Sequence, residues 1–149
     1  MDKVDLDIPG KPIGKARPRV TRRGITYTPK TTADREKLVR QIYAAKYPDR
    51  DPFTCPLRVA MTAVYPVPVS APAGRRRDMM RGCILPTSRP DLDNVAKLIL
   101  DALNGLAYED DSRVCLLDIS KRYAREGEEP HTSVIISEIA ADEMHSEMG

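Results

Sequence analysis

Four aspartates and a lysine within 21 residues carry the chemistry that this sequence can suggest. Asp91 and Asp93 stand two apart in the run RPDLDN, Lys97 follows four residues after Asp93, and Asp110 and Asp111 come side by side in YEDDSRV. Oxygen ligands without nearby His or Cys suit a hard cation such as Mg²⁺, which typically takes one or two carboxylates plus waters and substrate phosphates. A cation held in this way could activate water and neutralise a phosphodiester, while Lys97 could stabilise the developing negative charge. Caps and turns account for the same residue types: Asp91 as an N-cap, Asp93 as a first-turn acid and the Asp110, Asp111 pair as a turn. On residue types alone both readings stand. Asp101, four residues past Lys97, reads as a surface ion-pair partner.

These residues need a helix to position them. Val95, Leu98, Ile99, Ala102, Leu103 and Leu106 recur at the three-and-four spacing of one buried face, and Gly105 suits the left-handed position that ends a helix. Two residues apart within a helix, Asp91 and Asp93 would diverge. At a loop-to-helix junction they can converge, and Pro90 favours such a junction. A helix of about 13 residues is ~20 Å long, so Asp111 reaches Asp93 only if the chain folds back along the helix or meets a symmetry mate.

Elsewhere, residues 3–8 alternate Val4, Leu6 and Ile8 with Asp5 and Asp7, the period of a half-buried strand. A helix is expected over residues 32–47 with Thr32 as its N-cap, and a central strand over 57–65. Residues 66–90, rich in Pro and Gly, should not hold regular structure for long. Strands are expected at 114–125 and 132–139 with a turn between them. The order predicts a single α+β domain over residues 1–140, a mixed β-sheet with two main helices packed on it, followed by an acidic, disordered tail at 141–149.

The net charge of +2 conceals segregation. From residue 11 to 30 every ionisable group except Tyr27 is basic: Lys11, Lys15, Arg17, Arg19, Arg22, Arg23 and Lys30. This segment reads as an irregular basic arm or loose hairpin. Arg75, Arg76 and Arg77 form a second cluster, with Arg89 beside the aspartates, whereas the charged side chains from Glu126 onward are acidic. Such patterning suits a polyanionic partner, or else a solvated face. With no Trp and one Phe, a stacking platform for bases is not expected. Cys55, Cys83 and Cys115 have no CxxC spacing and read as reduced, mostly buried thiols. No stretch reaches the ~20 apolar residues of a membrane span, nor does the N-terminus read as a signal peptide, which fits a cytoplasmic protein.

The combination PDLDNVAKLILDALNG followed by YEDDSRV resembles the signature of the RusA endodeoxyribonucleases, and GKPIGKARPRVTRRGITYTPKTTADRE is similar to the N-terminal region of the bacterial and phage branch. The likeness runs over residues 3–139. It implies a RusA-like fold and a homodimer that binds four-way (Holliday) junctions in branched DNA and makes paired nicks with Mg²⁺, Mn²⁺ being a possible substitute. By motif, Asp91, Asp93 and Asp111 match the acidic metal ligands, Lys97 the catalytic lysine, and Asn94 a supporting residue. Lys15, Arg17, Arg19, Arg75, Arg76, Arg77 and Arg89 are the expected DNA contacts. One departure is visible: another branch of the family has its arginine run directly against D-L-D-N, whereas here the run lies well upstream and only Arg89 is close. Two other readings compete, a non-catalytic protein that binds branched DNA and a nuclease for flaps or forks.

Overall fold

The computed structural model describes residues 2–27 and 29–140, so the expected acidic tail lies outside the described residues. Strand β1 (Lys3–Pro9) buries Val4, Leu6 and Ile8 and exposes the residues between them, as its alternation requires. The basic segment then forms a small antiparallel ribbon, β2 (Arg19–Val20) with β3 (Thr26–Tyr27). Helix α1 (Lys30–Lys46) starts two residues before the expected N-cap. Pro29, extended at ψ 143°, leads into it, and its carbonyl accepts the Ala33 N–H at 3.1 Å. Thr32 is therefore no cap. It is 1 % exposed inside the first turn, and its Oγ1 accepts the Ala16 N–H at 3.1 Å, tying the arm to the helix.

Strand β4 (Leu57–Tyr65) leads into the Pro/Gly-rich stretch, which is not irregular throughout. It contains helix α2 (Ala73–Met80), so Arg75, Arg76 and Arg77 lie on a helix. Pro72 precedes it, and Gly82, at φ +81°, follows its C-cap residue Arg81. Helix α3 (Leu92–Leu103) leads through one 3₁₀ turn (Asp111–Arg113) into β5 (Val114–Tyr123), and β6 (His131–Glu138) closes the fold.

The sheet order is β1-β6-β4-β5, with β4 and β5 parallel and the other neighbours antiparallel. The mixed sheet and α+β class thus agree with the sequence pattern. The last two strands are consecutive in the chain but not paired, because β4 lies between them. Register aligns the core in rows across the sheet: Val4, Ile136, Val59 and Leu117 in one, Leu6, Val134, Met61 and Ile119 in the next. In the first three strands these side chains are buried among Val39 and Tyr43 of α1 and Val95, Leu98 and Ile99 of α3. At β5 the cover ends, and Leu117 is 47 % exposed.

The cysteines differ from expectation. All three are free thiols, but only Cys55 is partly buried, while Cys83 and Cys115 are exposed. Cys83 follows the glycine that ends α2. Cys115 is skipped by the β4–β5 register, which passes from Val114 to Leu116, so no core position is available to it.

Candidate active site

Helix α3 buries Val95, Ala96, Leu98, Ile99, Ala102 and Leu103, which turns Asp93, Lys97 and Asp101, spaced four apart, toward a second surface. These three line an open groove of about 410 Å³. Its other walls include Asp111 and the uncovered Leu117 and Ile119 of β5. The chain folds back at the end of its own helix, so that Asp111 lines the same groove as Asp93 and Lys97.

The return path is fixed by bonds within the segment and by one bracket from a distant part of the chain. Gly105, at φ +78°, reverses the chain where a side chain would be strained. Tyr108 is fully buried, and its hydroxyl donates to the Leu100 carbonyl at 2.5 Å. Burial, followed by the negative charges of Asp111, Asp101 and Asp110, pushes the Tyr108 phenol well above its ordinary range, so it remains a donor. Phe53 brackets the segment from outside: its N–H donates to Ala107 O and its carbonyl accepts from the Glu109 N–H, both at 2.9 Å. Finally the Asp111 N–H donates to Asn104 Oδ1 at 3.0 Å.

The two members of the acidic pair have different surroundings. Asp110 accepts the Ser112 N–H at 3.1 Å, and the hydrogen bonding of Ser112 lowers its pKa. It caps the 3₁₀ turn. Asp111 is the one that lines the groove. The capping account of Asp91 is only half met. It occupies the N-cap position with extended backbone (φ −71°, ψ 149°), but its side chain makes no capping hydrogen bond. Asp91 lines an adjoining groove of about 720 Å³ with Asn94, Lys11, Arg17 and Arg89. Tyr65 reaches this corner from the end of β4 and donates to the Pro90 carbonyl at 2.6 Å; burial, then the charge of Asp91, raises its pKa.

Asp91 and Asp93 thus open onto different grooves. Among the described residues, no three Asp, Glu, His or Cys side chains are grouped so that they could hold a metal ion together. The carboxylates that share a groove are Asp93, Asp101 and Asp111, and Asp101 is already engaged. Its Oδ2 is 2.8 Å from Lys15 Nζ, not paired with Lys97, and Lys15 is also 2.9 Å from Glu36 Oε1. Burial by itself would lower the Lys15 pKa, but these two carboxylates raise it overall. That leaves Asp93 and Asp111 as the groove's other two carboxylates.

The expected DNA contacts divide. Arg17, Arg19 and Arg89 are exposed, and Arg17 and Arg89 share the larger groove with Asp91. Arg75, Arg76 and Arg77 line neither groove. Sequence reading missed Glu36, Asn104 and Tyr108 as positioning groups, and Gly14 as a point of close approach. The asparagine and tyrosine lie within the D-A-L-N-G…Y-E-D-D run, where the need to reverse the chain was a usable signal. Glu36 meets Lys15 across a long sequence gap, and no periodicity marks such a pair.

Among the described residues, no helix is long and apolar enough to cross a membrane. Residues 9–137 match the family model described as Endodeoxyribonuclease RusA. The chain is also 32 % identical over 146 residues to a Bacillus subtilis (strain 168) protein named "Uncharacterized protein YqaN", an alignment covering 95 % of this chain and all of that relative.

Proposed function

Because the chain belongs to the RusA endodeoxyribonuclease family, we propose that it is a Mg²⁺-dependent nuclease that resolves four-way junctions in branched DNA by paired nicks, acting as a homodimer in recombination and repair. The observation that supports the site assignment is that Asp93, Asp111 and Lys97 line one groove. Asp93 and Asp111 would hold the cation, with Mn²⁺ able to replace it. Asp91, the remaining carboxylate of the motif, is free of any capping bond and is available from the adjoining groove. A bound divalent cation supplies activation of water and neutralisation of phosphate charge.

The protein's own contribution is placement. Lys97 offers an ammonium one helical turn from Asp93, where negative charge would build up on the phosphate during cleavage. Arg17 and Arg89 hold backbone phosphates along the larger groove with Arg19 further out on the arm, and Arg75, Arg76 and Arg77 supply a second positive patch on α2. Lys15 also lines the larger groove, but its ammonium is engaged by two carboxylates and so offers less charge to a phosphate than the arginines do. A homodimer follows from substrate symmetry: a four-way junction needs two cuts, and a domain of this size carries one such groove.

The test is cleavage of four-way, flap, fork and linear duplex DNAs of matched length, with Mg²⁺ and with chelator. Symmetric nicks in the four-way substrate that vanish with chelator are the expected result. Preference for flaps or forks would reassign the substrate, and junction binding without nicking would make the chain a non-catalytic binder.

A further inference from the structure

Lys15 looks on sequence like one more positive charge in a basic arm, but its surroundings are those of an anchor. Its ammonium lies between Asp101 Oδ2 at 2.8 Å and Glu36 Oε1 at 2.9 Å, with side-chain exposures of 22 % for Lys15, 31 % for Asp101 and 15 % for Glu36. The neighbouring backbone is pinned at the same place. The Lys15 N–H donates to the Asn94 carbonyl at 2.9 Å, the Ala16 N–H to buried Thr32, and Gly14 approaches Pro90 and Asn94 so closely that an added Cβ would lie 2.9 Å from each of their Cβ atoms. One side chain therefore joins three elements: the arm, α1 through Glu36 and α3 through Asp101. Asp101 also lines the groove of Asp93, Lys97 and Asp111.

We infer that the Glu36–Lys15–Asp101 bridge is a positioning device that fixes the DNA-gripping arm against the helix of the carboxylate groove, so that Arg17 and Arg19 reach phosphates in register with the site. The bridge also satisfies Asp101, removing one negative charge from the groove's claim on a cation or phosphate. This inference rests on the functional reading above, because the arm's work is assumed to be binding branched DNA.

The bridge makes a prediction opposite in sign to simple electrostatics. The variant Glu36→Gln/Asp101→Asn raises the net charge by two and removes no cation, so charge alone would tighten DNA binding. If the bridge is an anchor, junction affinity measured without divalent metal should instead fall. Each phosphate contact contributes about 0.9 to the log–log salt slope, and releasing Arg17 and Arg19 should reduce the slope by about 1.8. Arg17→Ala/Arg19→Ala should give the same reduction, and combining the two pairs should add little more. Amide exchange without DNA provides an independent readout: the Lys15 and Ala16 amides should exchange at least tenfold faster in Glu36→Gln/Asp101→Asn. Should that variant fold poorly, Asp101→Asn alone should show both effects in the same direction.

Tighter binding, an unchanged or larger salt slope, or unchanged exchange at Lys15 and Ala16 would overturn the anchor. A fall in melting temperature with the slope intact would make the bridge merely structural and overturn it equally. If the wild-type chain did not bind branched DNA, the functional reading would fall and the arm's assigned task with it, whereas accelerated exchange at Lys15 and Ala16 in the variant would still show that the bridge holds the arm.

Discussion

Replacing Gly14 with alanine should separate two effects of opposite sign. Gly14 is not among the glycines with positive φ, so its backbone can accept alanine, and such a change ordinarily stabilises by about 0.4–1 kcal/mol through the unfolded chain. The added methyl, however, would stand 2.9 Å from the Cβ of Asn94 and 2.9 Å from the Cβ of Pro90. Carbon atoms pack at about 3.5–4.0 Å, so the shortfall is roughly 0.6–1 Å on two sides. Neither neighbour can turn aside by changing rotamer, because a Cβ is fixed to its backbone. Asn94 sits in α3, and the Pro90 carbonyl is tied to the Tyr65 hydroxyl at 2.6 Å. The arm must lift, stretching the 2.9 Å bond from Lys15 N to Asn94 O. Overpacking of this kind costs about 1–3 kcal/mol, which outweighs the gain. The net loss is at most about 2.6 kcal/mol, so thermal unfolding should show a melting temperature lower by up to roughly 10 °C, at ~2–4 °C per kcal/mol for a chain of this size. Gly74→Ala is the control: its added Cβ meets nothing closer than Arg77 at 3.9 Å, within α2, and should stabilise by about 0.5–1 kcal/mol. A Gly14→Ala protein as stable as wild type, with unaltered junction affinity, would refute the packing of the arm on α3.

Asp93→Asn and Asp111→Asn should each abolish Mg²⁺-dependent nicking while leaving junction binding intact, whereas Asp110→Asn, which keeps an oxygen for Ser112, should retain nicking; single-turnover cleavage and gel binding would check all three. Lys97→Ala should lower kcat tenfold or more with little change in junction affinity, and equal losses in both would make it a phosphate-positioning group. Glu128 is paired in bidentate fashion with Arg122 at 2.6 and 2.8 Å, and that hydrogen bonding holds its carboxyl at about 2, down from 4.5. Its stabilisation is present above the ordinary carboxylate range and is lost as pH falls toward 2. Glu128→Gln should therefore be less stable by about 1–3 kcal/mol at pH 7, with the gap closing near pH 2 in urea titrations.

Features written as local periodicity were legible in the sequence. The alternation of Val4, Leu6 and Ile8 marked β1, and the stripe from Val95 to Leu103 marked α3 together with the surface that carries Asp93 and Lys97. Residues 73–80 were hidden because prolines and glycines surround a helix whose own pattern is three consecutive arginines, with only Met79 buried. The start of α1 was misplaced because Thr32 has the chemistry of a cap, and only tertiary contact with Ala16 shows that its hydroxyl serves the arm. Sheet order was out of reach for a similar reason: Val134 and Ile136 show which face is buried, but not that β4 separates them from β5. Of the site, residue types marked Asp91, Asp93, Lys97 and the Asp110, Asp111 pair, with caps and turns as the alternative, while the different surroundings of Asp110 and Asp111 depend on one hydrogen bond to Ser112.

The contacts that shape the carboxylate groove and those that fix the arm differ in the entropy needed to close them. Tyr108 meets Leu100 across eight residues, and Asp111 meets Asn104 across seven. Lys15 meets Asp101 across 86. Closing the longer span costs about 2 kcal/mol more in chain entropy. The bonds at the end of α3 can therefore re-form locally, with only the Phe53 bracket closing a long span. The arm's tie to α3 instead needs distant parts of the chain already docked, its ties to α1 through Thr32 and Glu36 closing shorter spans. In local opening short of global unfolding, the arm should be the earlier to detach. A molecule loosened by heat or mild denaturant would then keep its groove but lose its hold on DNA, failing first by releasing its substrate.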